Sequence, residues 1–282
     1  MRQNLPISAK ISTFAGEMTN AQDITARLRT VYSASEAQEL TRWLQEEGFM
    51  DVRIHGEAEL AVAVDRLLRG EPVQYVCEHA LWMGLDLRVT PATLIPRPET
   101  AELVEMVSSV KIQGLRVLDI GTGSGCIAIA LKQRHPQWQV AACDVSEEAL
   151  AVARENAERN GVEVDFFRCD ILSEVPEGQY DLIVSNPPYV LESEKTTMET
   201  RVLDYEPASA LFVPDAQPLL FYARITALAA GGLLAHGGQL LFEINERFGE
   251  ETAALLRENG LKDVEVLQDM FGKLRYVKGT QP

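Results

Sequence analysis

Two stretches of this chain combine rigid backbone with polar groups in a pattern that suits chemistry on a nitrogen. Asn186-Pro187-Pro188-Tyr189 follows the apolar run Tyr180–Ser185, which reads as a buried strand. Neither proline has an N–H to donate to a ladder, so the strand ends there and a stiff loop leaves the sheet edge with free carbonyls. The Asn186 amide oxygen, set beside fixed carbonyls, can share with them the two hydrogens of one NH2 group. That arrangement holds a planar, poorly nucleophilic nitrogen in front of an electrophile. Read alone, the tetrapeptide is also a Pro-Pro turn with Asn as a local cap. The second stretch favours the chemical reading. Gly121-Thr122-Gly123-Ser124-Gly125 ends the strand Leu115–Ile120 and opens a helix. Glycine belongs where backbone turns sharply or must approach a ligand without a Cβ in the way. A nucleotide-binding α/β sheet carries such a loop at the carboxyl end of its first strand.

The loop reads G-x-G-x-G, with Cys126 next, a weak match to the dinucleotide fingerprint G-x-G-x-x-G. No Gly-Lys-Ser/Thr follows, which excludes a phosphate-binding Walker loop. Asp144 closes the second strand, 23 residues after Gly121, where a carboxylate can accept from two ribose hydroxyls. Asp170 closes the third strand and can accept from an adenine amino group. Asn186 closes the fourth. Four successive strand ends thus offer polar groups along one sheet edge, a convergence that points to an adenosine-type ligand.

The elements that must hold these groups alternate from residue 115 onward. Strands are expected at Leu115–Ile120, Gln139–Cys143, Val164–Arg168, Tyr180–Ser185 and Gln239–Ile244, with helices near 126–134, 146–159, 217–231 and 248–258. This order implies a mostly parallel sheet with helices on both faces. Val264–Leu267 and Leu274–Val277 are too close for a crossover helix and predict an antiparallel end to the sheet. Pro98 suits the first position of a helix over 98–109, with Glu99 in its first turn. Leu81–Val89 reads as short strands around a glycine turn. The first eighty residues read as helical. Ser33-Ala34-Ser35-Glu36 forms a capping box. Ala37, Leu40, Trp43 and Leu44 lie on one face, as do Leu60, Val64, Leu67 and Leu68, and Gly70 ends that second helix.

The bulk numbers narrow the function. A chain of 282 residues, 46% apolar, forms one large or two ordinary domains. No run of eighteen apolar residues suggests a membrane span, and the N-terminus lacks a signal-peptide core. A net charge of −16 argues against general affinity for nucleic-acid backbones. Cys77, Cys126, Cys143 and Cys169 are irregularly spaced, which fits free thiols and a reducing cytoplasm. The four histidines show no metal-ligand spacing, so no metal is expected.

Asp-x-Gly-x-Gly-x-Gly followed by Asn-Pro-Pro-Tyr is the signature of S-adenosylmethionine-dependent methyltransferases that act on amino nitrogens. The chain more specifically resembles the PrmC/HemK family of protein-(glutamine-N5) methyltransferases of peptide-chain release factors. The stretches that carry the likeness are Arg69–Tyr75, Thr93–Thr100, the glycine loop, Ser185–Tyr189, Tyr205–Leu211 and Leu241–Ile244. The likeness runs from about residue 57 to 277. It implies a Rossmann-like, seven-stranded class I methyltransferase sheet with a small N-terminal helical domain. Residues 1–75 would be the helical substrate-recognition domain, 76–97 a connector with a short hairpin, and 98–282 the methyltransferase domain.

Carried over by position, Gly121, Thr122, Gly123, Ser124 and Gly125 line the methionine and ribose part of S-adenosyl-L-methionine, and Asp144 takes the ribose hydroxyls. Asn186, Pro187, Pro188 and Tyr189 hold the substrate glutamine amide. Asp170 and Ile171 stand near the adenine. The family often has Trp at the position of Ile171, so aromatic stacking is lost here, and whether Ile171 keeps an apolar contact with the adenine stays open. Cys77–Met83 departs from the family pattern, which puts the hairpin geometry in question. Two further roles stay open. Tyr189 either packs on the amide plane or anchors the loop, and Arg97 either orients the loop, contacts the peptide or forms a plain salt bridge.

The implied reaction is methyl transfer from S-adenosyl-L-methionine to the glutamine of the Gly-Gly-Gln motif of release factors, without nucleic acid or membrane. The alternative is an adenine- or cytosine-amino methyltransferase on DNA or RNA, which would need to hold a charged backbone. Glu192, Glu194, Glu199, Asp204 and Glu206 against Lys195 and Arg201 disfavour it. A non-catalytic cofactor-binding module and a nicotinamide dehydrogenase fit less well.

Overall fold

The computed structural model describes residues 20–51, 54–108 and 113–282. The helical reading of residues 1–19 lies outside the described residues. The chain divides into two compact units, Met1–His79 and Ala80–Pro282.

The first unit packs α1 (Ala21–Leu28), α2 (Ala34–Glu46), α3 (Glu57–Leu68) and the short α4 (Val73–Val76). The capping box forms at α2. Glu36 N–H donates to Ser33 Oγ at 3.3 Å and Ser33 N–H to Glu36 Oε2 at 3.0 Å. Ile24, Leu28, Ala37, Leu44, Leu60, Val64 and Leu67 make the core, with Leu40, Trp43 and Leu68 half-buried at its margin. Gly70 adopts φ 89°, the left-handed conformation that ends α3.

The second unit begins with the hairpin β1 (Ala80–Trp82) and β2 (Leu85–Leu87). Its two-residue turn sets Met83 and Gly84 at φ 51° and 81°, the positive values that a tight hairpin turn demands. The hairpin therefore forms despite the unusual sequence before it. There follow α5 (Pro98–Ser108), β3 (Arg116–Ile120), α6 (Cys126–Arg134), β4 (Gln139–Asp144), α7 (Glu147–Arg159), β5 (Asp165–Arg168) and β6 (Tyr180–Ser185). A segment with β7 (Val190–Leu191), α8 (Thr200–Tyr205), α9 (Ala208–Leu211) and β8 (Phe212–Val213) leads to α10 (Leu220–Leu228), β9 (Leu234–Glu243), α11 (Gly249–Glu258), β10 (Lys262–Gln268) and β11 (Leu274–Thr280).

The seven-stranded sheet has the order β10-β11-β9-β6-β3-β4-β5. Its pairs are parallel from β5 through β9, and β11 is antiparallel to both β9 and β10. Side chains alternate between faces, as strand geometry requires. Val117, Val140, Leu182, Val184 and Leu241 meet α5, α6 and the hairpin, whereas Leu118, Ile120, Ile183, Leu240 and Phe242 meet α10 and α11. From β3 the chain proceeds to β4 on one side, and from β6 to β9 on the other. The carboxyl ends of β3 and β6 thus flank the switch point where open α/β sheets bind ligands.

Candidate active site

A cavity of about 260 Å³ opens at that switch point. Gly121, Thr122, Gly123, Ser124, Asp144, Asp170, Ile171, Asn186, Pro187, Pro188 and Arg97 all line it. Gly125 and Tyr189 do not; both stand behind the wall and shape it. A wider depression of about 570 Å³ lies at the amino ends of the strands. Its cations are already held, Arg116 by Asp181 at 3.2 Å and Lys132 by the carbonyls of Pro136 and Trp138.

Gly125 caps α6 at φ 82°, and a Cβ there would stand 3.0 Å from Ile129 Cδ1 and 3.1 Å from Ala153 Cβ. It is the close contact between α6 and α7 that draws the loop down. A Cβ on Gly121 or Gly123 would meet nothing within 4 Å, so both present bare backbone to the cavity. Asn156 on α7, fully buried, donates through Nδ2 to the Ser124 and Arg88 carbonyls, each at 2.9 Å. Nothing local in the sequence marks it, because its partners lie 32 and 68 residues away.

Asp144 accepts Gly123 N–H at 2.9 Å on Oδ2 and Ser146 N–H at 3.0 Å on Oδ1. Each oxygen keeps a lone pair for a ligand hydroxyl. Asp119, in the middle of a buried strand, accepts the Thr122 hydroxyl at 2.6 Å on Oδ2, while Oδ1 has no partner among the described residues. Burial pushes this carboxyl up to about 7, against the Thr122 and Ala128 hydrogen bonds that favour its charge. A lone carboxylate inside an apolar strand is a signal that the sequence reading left unused.

At the far end of the cavity Val145, Ile171, Leu172, Phe221 and Ile225 supply apolar wall. Asp170 accepts Leu172 N–H at 3.1 Å and the Ser173 hydroxyl at 2.8 Å, so it builds the turn that seats Ile171.

At the near end, Asn186 Nδ2 donates to Thr100 Oγ1 at 3.1 Å. Thr100 donates to Glu243 Oε2 at 2.8 Å, and the Tyr189 hydroxyl donates to Glu243 Oε1 at 3.1 Å. Burial raises the Glu243 carboxyl above the ordinary carboxylate range. Burial and the Glu243 charge likewise push the Tyr189 phenol up. The Tyr189 carbonyl accepts from Asn245 Nδ2 at 3.2 Å, which anchors the loop from a second side. Arg97 is ion-paired with the buried Glu206, whose Oε2 also accepts Ile95 N–H at 3.3 Å. This pair fastens the residues before α5 to the segment between β7 and β8, and Ser209 and Ala210 of that segment complete the wall. Of the readings open for Arg97, the salt bridge is what the structure shows.

Comparison with known proteins decides the family. The Methyltransferase small domain family matches residues 99–209. A Bacteroides thetaiotaomicron protein named release factor glutamine methyltransferase is 50% identical over 227 residues, 80% of this chain and 81% of its own. The chain belongs to the release factor glutamine methyltransferase family. A Flavobacterium psychrophilum family member is 46% identical over 219 residues, 76% of each chain. A crystal structure of a methyltransferase from Pyrococcus furiosus superposes with TM-score 0.53 at 20% identity, covering 77% of this chain and 96% of that one, which shows the fold. The class I methyltransferase sheet expected from the resemblance is therefore present. Among the described residues of this family member, no cluster of His, Cys, Asp and Glu suits a metal ion, and no helix is long and apolar enough to cross a membrane.

Proposed function

We propose that this chain transfers a methyl group from S-adenosyl-L-methionine to the side-chain amide nitrogen (N5) of the glutamine in the Gly-Gly-Gln motif of peptide chain release factors. The observation that carries the reading is the Asn186 amide on the cavity wall, its NH2 end turned back to Thr100 and its oxygen left as the acceptor. The cavity residues fit the cofactor. Gly121 and Gly123 offer backbone with space where a Cβ would be, Asp144 retains acceptor capacity for ribose hydroxyls, and Ile171, Leu172 and Val145 suit the faces of an adenine. Bound there, S-adenosyl-L-methionine supplies an electrophilic methyl group.

The protein's part is orientation. A glutamine amide nitrogen is a poor nucleophile because its lone pair is delocalised into the carbonyl. Asn186 Oδ1 and the Pro187 carbonyl each accept one N–H of the substrate, which fixes the nitrogen and favours positive charge developing on it. Positioning of this kind can supply as much as about 7–11 kcal/mol of a barrier. No base need act before transfer, since the N–H becomes acidic only as the new bond forms. Tyr189, tied to Glu243, keeps the proline loop at its height above the sheet. The four cysteines are free thiols, which supports a reducing cytoplasm as the setting.

The test is transfer of labelled methyl from S-adenosyl-L-methionine to a purified release factor, located by mass spectrometry, with DNA and RNA as parallel acceptors. Wild type should label the release factor glutamine alone. Asn186→Ala should lower turnover by about 100-fold or more, the scale of a misplaced reactant, with cofactor affinity near wild type. Near-normal turnover of Asn186→Ala, or labelling of nucleic acid in place of protein, overturns the proposal.

A further inference from the structure

The two ends of an asparagine amide have the same shape and opposite hydrogen-bonding character. With its oxygen toward the cavity, Asn186 accepts from a substrate NH2; reversed, it would set donor against donor. The structure contains the device that chooses. Thr100 has one hydroxyl hydrogen, and Glu243 as a carboxylate only accepts. Glu243 takes that hydrogen on Oε2 at 2.8 Å and the Tyr189 hydrogen on Oε1 at 3.1 Å. Thr100 is then left with lone pairs alone, and only the NH2 end of Asn186 can satisfy it, at 3.1 Å. Thr100 and Glu243 are 3% and 1% exposed, so water does not substitute for either. Burial raises the Glu243 carboxyl, and the two hydrogen bonds it accepts from Thr100 and Tyr189, together with nearby Arg275, itself held by Asp269 at 3.2 Å, act in the opposite sense and favour its carboxylate form.

We infer that Glu243, acting through Thr100, sets the polarity of the Asn186 amide, and that both are positioning residues for the transfer step. The inference rests on the glutamine-methylation reading and names the part of the site that makes it selective for a hydrogen-bond donor. Thr100 sits in the first turn of α5 and Glu243 at the end of β9, and the hydrogen-bond chain places both behind the Asn186 amide. Their effect passes through one side chain.

The experiment measures kcat and KM for a purified release factor, together with S-adenosyl-L-methionine affinity by calorimetry, in Thr100→Val, Thr100→Ser, Glu243→Gln and the double variant Thr100→Val/Asn186→Ala. Thr100→Val keeps the shape and removes the hydroxyl. It should lower kcat by about 10- to 100-fold, the range for a misoriented reactant, while cofactor affinity stays within about twofold. Thr100→Ser should restore most of the rate. In the Asn186→Ala background, Thr100→Val should change kcat by less than about twofold, because residues that act through one another are not additive. A purely structural role would instead multiply the two losses. Glu243→Gln, whose own amide can donate to Thr100 and so admit the reversed Asn186, should lose rate with an unchanged melting temperature; its full activity would overturn the inference even if Thr100→Val failed to fold. Wild-type rates for Thr100→Val, no rescue by Ser, or multiplying losses also overturn it. A wild-type protein that leaves the release factor unlabelled would sink the underlying function instead.

Discussion

Asp144 and Asp119 are both carboxylates at the glycine loop, and their surroundings assign them opposite behaviour. Asp144 is partly open and already oriented by two backbone N–H groups, so a ligand hydroxyl finds it at little reorganisation cost. A hydrogen bond to a charged group contributes about 1.5–3 kcal/mol. Asp144→Ala should therefore weaken S-adenosyl-L-methionine binding by at least about tenfold, read by calorimetry. Unchanged affinity would remove Asp144 from the ribose position. Asp119 is fully buried, and its carboxyl titrates near pH 7 in the folded chain against about 3.9 unfolded. Between those values the native state binds the proton and the unfolded state does not. Its contribution to stability is thus complete below pH 4 and is lost as pH rises toward 7, at up to about 1.4 kcal/mol per pH unit. Asp119→Asn should flatten the wild-type decline in unfolding free energy over that window, measured by urea titration at successive pH values. Equal slopes in the two proteins would show that Asp119 ionises in the unfolded and folded states alike.

At the scale of elements, the glycine loop is held by packing as much as by its turn. Gly125→Ala would force an L-residue into the left-handed region, about 1–2 kcal/mol, and press its Cβ on Ile129 and Ala153, about 1–3 kcal/mol more. Gly121→Ala, at φ 75° with open space around it, should lose the first amount only. Urea unfolding of the two variants separates packing from backbone strain, and equal losses would mean that α6 and α7 yield to the methyl group. The same distinction explains what was legible beforehand. The parallel strands and their helices were readable because apolar runs, caps and glycines act within a few residues of one another. The antiparallel end of the sheet followed from a connection too short to cross over. β9 was misread at its start: it begins at Leu234, not Gln239, because Gly237 and Gly238 lie inside it. There a Cβ on Gly238 would meet the Ala235 carbonyl oxygen at 2.8 Å and that of Asp181 at 3.0 Å, so Gly238 marks a close backbone approach, while Gly237 takes the positive φ of 75° within the strand. The helix expected over 217–231 likewise ends at Leu228, as the chain unwinds through Gly232 at φ 110°. In the site, Asn186 and both prolines announced themselves. Thr100 and Glu243 lie within stretches that carry the resemblance, but their pairing was not legible, since they stand 143 residues apart and meet only through the fold.

The whole molecule carries 42 acidic against 26 basic side chains, a net charge of −16. Many of the cations are already engaged in exposed pairs such as Arg134–Glu105, Arg159–Asp86 and Lys273–Glu246. The excess of carboxylates over cations leaves a net negative surface whose charges repel one another. Salt acts on the pairs and on this repulsion in opposite directions. Raising ionic strength from 0.01 to 0.15 M shortens the screening length from about 30 to about 8 Å. Contacts at ion-pair distance fall inside either length and are individually worth about 0.2–1 kcal/mol, so they weaken little. Repulsion summed over longer separations is largely removed. The balance predicts a net gain: the apparent melting temperature should rise by at least about 2 °C over that range of sodium chloride, a change of order 1 kcal/mol for a chain of this size. Differential scanning fluorimetry at constant pH measures it, with an equal molar series of uncharged osmolyte as the control for solvent effects. A midpoint that stays level or falls with salt would mean that the surface pairs, not the net negative charge, dominate the electrostatics of this fold.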